Sequence, residues 1–395
     1  MPVTTRQAHS SAKVLTLAAY ASFFPIGIAT VLLGPMLPAL SSRWSLNYSQ
    51  AGALFTAQYL GSTCAVVLSG WLVYKWGYRL AIKSGLLLAT AGLALLLSGP
   101  KTAGIVCIAA YGAGLGLAVP AANILVAEVN SDRRSASLNI LNFCWSAGAV
   151  SCPFLAAFAV NRHRVSLFFE VVAGLMFVVL VGIAAMPASI AEPATTNRPD
   201  ATNARIDWRH RAMLPLAALF LIYVGTENAF GGWVATFSKS LGSMSNAMSL
   251  MTPSFFYSSL MIGRWVAPLL LRSIDEVRLA QVGLVLSCVG MATMIVSHSL
   301  TGVLISACVA GFGIASVYPI TIALLSREFG PTASRVGSLM FTLSNIGGGL
   351  LPWISGVVST RLGTLKAGLA VPLIGSALMF ILYMREWKKE EVTAL

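Results

Sequence analysis

One carboxylate in this 395-residue sequence stands where a carboxylate is costly: Glu227, in the segment TENAFGGW that spans residues 226–233. It falls about 16 residues into a long apolar run, about 24 Å from the start of that run at 1.5 Å rise per residue. A charge at such depth in an apolar helix is a functional candidate by default. The neighbouring residues add an amide (Asn228), two glycines that permit bending (Gly231, Gly232) and an indole (Trp233). A carboxylate there can alternate between protonated and ionised forms as its access to water changes, which is the chemistry that proton coupling requires. Two other readings stay open: a substrate ligand that carries no proton, and a permanent bond to a neighbouring helix.

Arg264 is the other charge within an apolar run, and the same rise places it only about 10 Å from its end of the run. The two depths differ by more than about 10 Å, so the arithmetic does not pair Arg264 with Glu227. Arg264 is grouped instead with Arg79, Glu128, Arg134, Arg272, Glu328 and Arg335, which stand at run ends on one side of the chain. Ion pairs among them would form a gate that must break when that side opens. Candidate substrate ligands are Gln58, Asn123, Asn142, Trp145, Asn228, Trp233, Tyr318 and Asn345. Amides both donate to and accept from hydroxyls, and aromatic faces pack on the apolar face of a sugar ring, a mixture suited to a small neutral polyol.

Other chemistries find no support. The glycine clusters GAGLG (112–116) and GFG (311–313) have no preceding strand and no following Lys-Ser or Lys-Thr, so they read as helix-packing glycines, not as phosphate loops. Four histidines fall at run ends without a second ligand at metal spacing, and six cysteines lie inside apolar runs as small buried side chains. No nucleophile, base and orienting acid share one depth, so an enzyme is not expected, and no cofactor or metal is implied.

The elements that hold these residues follow from composition. With 57% hydrophobic and 10% charged residues the chain has too little polar surface for a water-soluble globule, and it reads as an all-α membrane protein in a lipid bilayer. Apolar runs are expected at 14–40, 48–74, 80–99, 102–128, 135–160, 165–187, 212–238, 247–271, 277–297, 301–326, 335–360 and 367–384. That makes 12 transmembrane helices: an N-terminal bundle (1–187), a cytoplasmic linker (188–211) rich in Pro, Ala, Thr and charge, and a C-terminal bundle (212–395). The net charge of +13 comes from basic residues in the breaks between runs, which argues against nucleic acid. Of the 26 lysines and arginines, 18 lie on the side of the N-terminus, which places both termini in the cytoplasm. The polar N-terminus runs straight into the first span and is expected to be retained. GAGLGLAVP (112–120) matches GFGIASVYP (311–319), and Arg134, Ser137, Leu138 and Gly148 match Arg335, Ser338, Leu339 and Gly349. Two pseudo-symmetric six-helix bundles, related by an axis along the membrane normal, follow from that repeat.

GPMLPAL (34–40) followed by GWLVYKWGYRLAIKSG (70–85) resembles the major facilitator superfamily, with Gly70, Lys75, Gly77, Arg79 and Lys83 in place and Tyr74 where an acidic residue usually stands. AANILVAEVNSDRRSASLNILNF (121–143), YVGTENAFGGWVATFSKS (223–240) and LMIGRWVAPLLL (260–271) resemble the fucose-galactose-glucose:proton symporter group. That group tends to carry an acid shortly before the Ala-Ala-Asn of the fourth span, where this chain has Leu117–Pro120. The resemblance implies a secondary transporter, and together with the residues above it gives a multi-pass, monomeric transporter of the inner, cytoplasmic membrane that moves a small neutral polar solute, a sugar first of all, by rocking its two bundles, with Glu227 as the carrier of a coupling proton or as a substrate ligand. The alternatives are a proton-driven exporter of drugs or amphipathic metabolites and a non-transporting solute sensor on the same scaffold.

Overall fold

The computed structural model describes residues 5–187, 209–242 and 245–386, and all of their regular structure is helical. The first half contains α1 (Thr5–Val31), α2 (Leu33–Trp44), α3 (Tyr48–Trp76), α4 (Tyr78–Ala94), α5 (Lys101–Val129), α6 (Arg134–Asn161) and α7 (Val165–Ala184). The second contains α8 (Met213–Ser240), α9 (Asn246–Leu270), α10 (Glu276–Val296), α11 (Leu300–Ile314), α12 (Val317–Phe329), α13 (Ala333–Leu362) and α14 (Leu365–Glu386). Nearly all of the expected linker, 188–211, lies outside the described residues.

Among the described residues, 10 helical stretches are long and apolar enough to cross a membrane. The two expected spans not among them are α4, with only 17 residues, and α9, whose four serines, one threonine and Arg264 make it more polar. Two expected spans are interrupted. The first breaks at Leu32 between α1 and α2, and the tenth breaks at Ala315 and Ser316 between α11 and α12. In each case a proline follows closely: Pro35 and Pro319 have no N–H to offer the carbonyls of Val31 and Ala315 four residues earlier. The equivalent Pro120 is accommodated inside a continuous α5, so proline alone did not dictate the outcome.

The chain divides into two compact units. One joins the residues up to Leu32 to those from Ala57 onward in the first half, and the other joins Leu33–Thr56 to the second half. The segment 33–56, which the sequence assigns to the first bundle, thus packs with α8 and α13. A Cβ on Gly34 would lie 2.9 Å from the Gly231 carbonyl, and one on Gly52 would lie 2.9 Å from the Pro352 carbonyl. The Ser49 amide donates to Thr360 Oγ1 at 2.8 Å, and Thr56 Oγ1 donates to the Gly349 carbonyl at 3.0 Å.

Each unit repeats the same glycine-lined crossings. In the first, Gly148 of α6 lies against Phe24 of α1, Gly114 of α5 against Gly85 of α4, and Gly112 of α5 against Gln58 of α3. In the second, Gly347 of α13 lies against Leu221 of α8, Gly313 of α11 against Gly283 of α10, and Gly311 of α11 against Phe256 of α9. Without a Cβ at these points, backbones approach until carbonyls and Cα atoms touch, which is how helices gain contact where no hydrophobic force draws them together. The glycine clusters of the sequence are therefore packing surfaces, and they carry the repeat.

Candidate functional site

Glu227 and Arg264 face one another in the second unit. Arg264 Nη2 lies 3.5 Å from Glu227 Oε2, with the two side chains 25% and 11% exposed. The expectation that depth keeps them apart is therefore wrong, and helix geometry gives the reason. Rise per residue locates Cα atoms, whereas helical side chains lean toward the N-terminus of their own helix. Successive spans run antiparallel, so Glu227 on α8 and Arg264 on α9 lean toward each other and cover the difference in depth.

Two tyrosines complete the cluster. Arg264 Nη2 also donates to Tyr223 Oη at 3.3 Å. Tyr223 lies four residues before Glu227 on α8, hence on the same face. Its ring stacks on Tyr318 with centroids 5.0 Å apart and planes 25° from parallel. Tyr318 stands two residues past the break that opens α12, where the interrupted helix turns its first residues toward α8. Phe220, a further turn back along α8, meets Tyr318 and Phe341 edge-on at 5.7 and 5.8 Å. An aromatic wall of four rings thus flanks one buried ion pair. Tyr223 and Phe220 escaped the sequence reading, although the spacing 220, 223, 227 is that of a single helix face.

The other expected ligands divide into engaged and open groups. Gln58 is buried and engaged at both ends of its amide: the nitrogen donates to the Thr30 carbonyl at 3.1 Å and the oxygen accepts from Tyr111 at 3.1 Å. Trp145 donates to Thr30 Oγ1 at 3.3 Å. Trp233 is 1% exposed, donates Nε1 to the Pro352 carbonyl at 2.9 Å and meets Tyr48 edge-on, so it seats the segment 33–56 instead of facing an open site. Asn123, Asn142 and Asn228 each donate to the carbonyl four residues earlier in their own helix, at 2.9, 2.9 and 2.8 Å. That bond uses one of two N–H groups and leaves each side-chain oxygen available. Asn345 on α13 is half-buried.

The expected gating residues also find specific positions. Tyr78 donates to Glu128 at 2.6 Å, and Arg134 Nε donates to the Ala127 carbonyl at 3.2 Å. Glu328 lies 4.0 Å from His210, whose ring rests on Phe329. Neither glutamate therefore meets the arginine that starts the next long helix. Arg79 closes the end of α7, donating to the carbonyls of Ile183, Met186 and Pro187 at 3.4, 2.7 and 3.3 Å. A guanidinium placed there satisfies carbonyls that have no helical partner and opposes the negative end of the helix dipole. Arg272 and Arg335 are exposed. An ion pair that the sequence reading did not single out joins Arg327 to Glu276 at 2.9 Å, linking α12 to the start of α10.

Comparison with known proteins places this geometry in context. A family model described as Major Facilitator Superfamily matches residues 19–279. A glucose/galactose transporter of Brucella abortus is 26% identical over 367 residues, which cover 86% of this chain and 86% of that protein. Human sodium-dependent glucose transporter 1 is 24% identical over 283 residues, 62% of this chain, so the match spans about half (54%) of that relative. Among solved structures, a D-xylose-proton symporter superposes with a TM-score of 0.77 at 15% identity, covering 94% of this chain and 97% of its own.

Proposed function

From the premise that the chain belongs to the major facilitator superfamily, and is thus a multi-pass membrane transporter and not an enzyme, we propose that it moves a sugar across the cytoplasmic membrane by alternating access. Twelve spans with both termini in the cytoplasm, and a single polypeptide as the working unit, belong to the same reading. Glu227 is the group that carries the coupling proton, and Asn228, Tyr318 and Asn345, with Asn123 and Asn142 from the first half, are the candidate sugar ligands.

The observation that carries this reading is the Glu227–Arg264 pair beside four aromatic rings. Ionisable groups held inside a membrane bundle mark substrate or ion pathways, and rings supply the apolar face that a pyranose prefers. The names of the relatives, a glucose/galactose transporter and a xylose-proton symporter, support sugar and proton as the two cargoes. Glu128, Arg134, Glu328, Arg335, Arg79 and Arg272 belong, on this reading, to contacts that rearrange between states of the cycle.

Counterflow of labelled hexoses into proteoliposomes tests the proposal, with wild type and Glu227→Gln compared at two external pH values. Hexose exchange by both proteins, with accumulation down a pH gradient by the wild type alone, supports it. A folded, monodisperse sample that exchanges neither a hexose nor a sugar acid refutes the sugar assignment and favours export of an amphipathic compound.

A further inference from the structure

The Glu227–Arg264 contact is loose for an ion pair. Charge-assisted N–H···O bonds settle at about 2.7–2.9 Å, whereas this one measures 3.5 Å and uses Nη2 alone, which it shares with Tyr223 at 3.3 Å. Arg264 Nε and Nη1 have no hydrogen-bond partner among the described residues, and neither is shut away from solvent. Two of the three guanidinium nitrogens therefore keep their donors unused among the described residues, beside an aromatic wall. From α8 the groups facing the pair are Tyr223 and Glu227 itself, and from α12 Tyr318. From α13 come Phe341 and Ser344, against Phe220, and Gly347 and Leu351, against Gly225, none of them charged.

Charge balance then constrains the cargo. When Glu227 takes up a proton, Arg264 loses its only carboxylate, and a guanidinium cannot discharge by giving up its own proton. A buried cation left alone is strongly unfavourable. A neutral sugar brings nothing to offset it, whereas a carboxylate on the sugar does, and the unused fork matches a carboxylate in bidentate geometry.

Resting on the sugar reading above and narrowing it, we propose that the transported sugar is an acid, a hydroxylated monocarboxylate such as a hexuronate or aldonate, whose carboxylate binds Arg264 while Glu227 carries one proton. One anion and one proton cross together, so the cycle transfers no net charge. Tyr223 Oη accepts from the same guanidinium, and Tyr318 with Phe341 covers the apolar face of the sugar.

The test uses the whole protein in proteoliposomes with labelled galacturonate, glucuronate and gluconate beside the matching neutral hexoses, and a potassium gradient with valinomycin to set the membrane potential. The expected result is exchange of at least one acid, accumulation driven by a pH gradient, and a rate that changes less than about twofold when the potential is reversed. Arg264→Gln lowers acid exchange at least tenfold, and Arg264→Lys, which keeps the charge but loses the fork, falls between. Thermal stabilisation of the purified protein by the acid and not by the hexose gives the same answer without transport and covers a variant that folds poorly. Exchange of hexoses while no acid exchanges, competes or stabilises overturns the inference and leaves the sugar reading standing. Acid uptake that follows the membrane potential overturns the paired proton. Failure of every hexose and every acid to exchange or stabilise refutes the sugar reading itself, and the inference with it.

Discussion

Removing either partner of the Glu227–Arg264 pair is expected to destabilise the second half of the molecule, and removing both is expected to restore much of the loss. At 3.5 Å and an effective dielectric of about 20, two unit charges attract by about 5 kcal/mol. The guanidinium side chain is 25% exposed, so water screens part of this, and a net cost of about 2 to 3 kcal/mol for Glu227→Gln is the working value. For a unit of this size that corresponds to a fall of about 5 °C or more in melting temperature. Each single variant leaves its former partner, a carboxylate or a guanidinium, without its counter-charge, and the double variant removes both. Thermal unfolding in detergent near neutral pH, on wild type, both singles and the double variant, measures the coupling directly. A coupling of about 2 kcal/mol is expected. Additive singles would refute the argument that these charges balance one another.

Further outcomes follow from the packing. Gly347→Ala drives a methyl into the Leu221 carbonyl at the α8–α13 crossing, costing about 1 to 3 kcal/mol. Its counterpart Gly148→Ala, against Phe24, costs a similar amount, and thermal unfolding of the two variants checks both values. Trp233→Phe keeps the ring but removes the bond to the Pro352 carbonyl. A loss of about 1 kcal/mol is expected, together with faster hydrogen exchange in segment 33–56. Arg79→Ala removes the donor from the Ile183 carbonyl in the last turn of α7 and from the Met186 carbonyl just beyond it, and an effect of about 1 kcal/mol should appear as fraying of the last turn in hydrogen exchange, with the Glu227 region unchanged.

What the sequence disclosed was governed by periodicity and composition. The long helices were legible because apolar runs of membrane length need no tertiary information, and the crossing glycines were legible because they recur at matched positions in the two halves. The breaks at Leu32 and Ala315 were hidden, since Pro35 and Pro319 interrupt their helices while Pro120 does not, and the difference lies in what surrounds each proline. Glu227 and Arg264 were each identified, but their pairing depends on side-chain lean, which residue counting ignores. Tyr223 and Phe220 could have been found by projecting α8 around Glu227. Gln58 and Trp233 were chosen for their chemistry, and it is their partners Tyr111, Thr30 and Pro352, distant in sequence, that engage those polar groups.

The central claim is that Glu227 carries a proton with the sugar, and internal pH measures it most directly. Vesicles holding a pH-sensitive dye and purified protein would receive a transported sugar from outside with no imposed gradient. Acidification of the lumen by the wild type, and none by Glu227→Gln in a preparation that still exchanges labelled substrate, is the predicted result. Equal acidification by both proteins would contradict it, placing the proton on another group and leaving Glu227 as a fixed partner of Arg264.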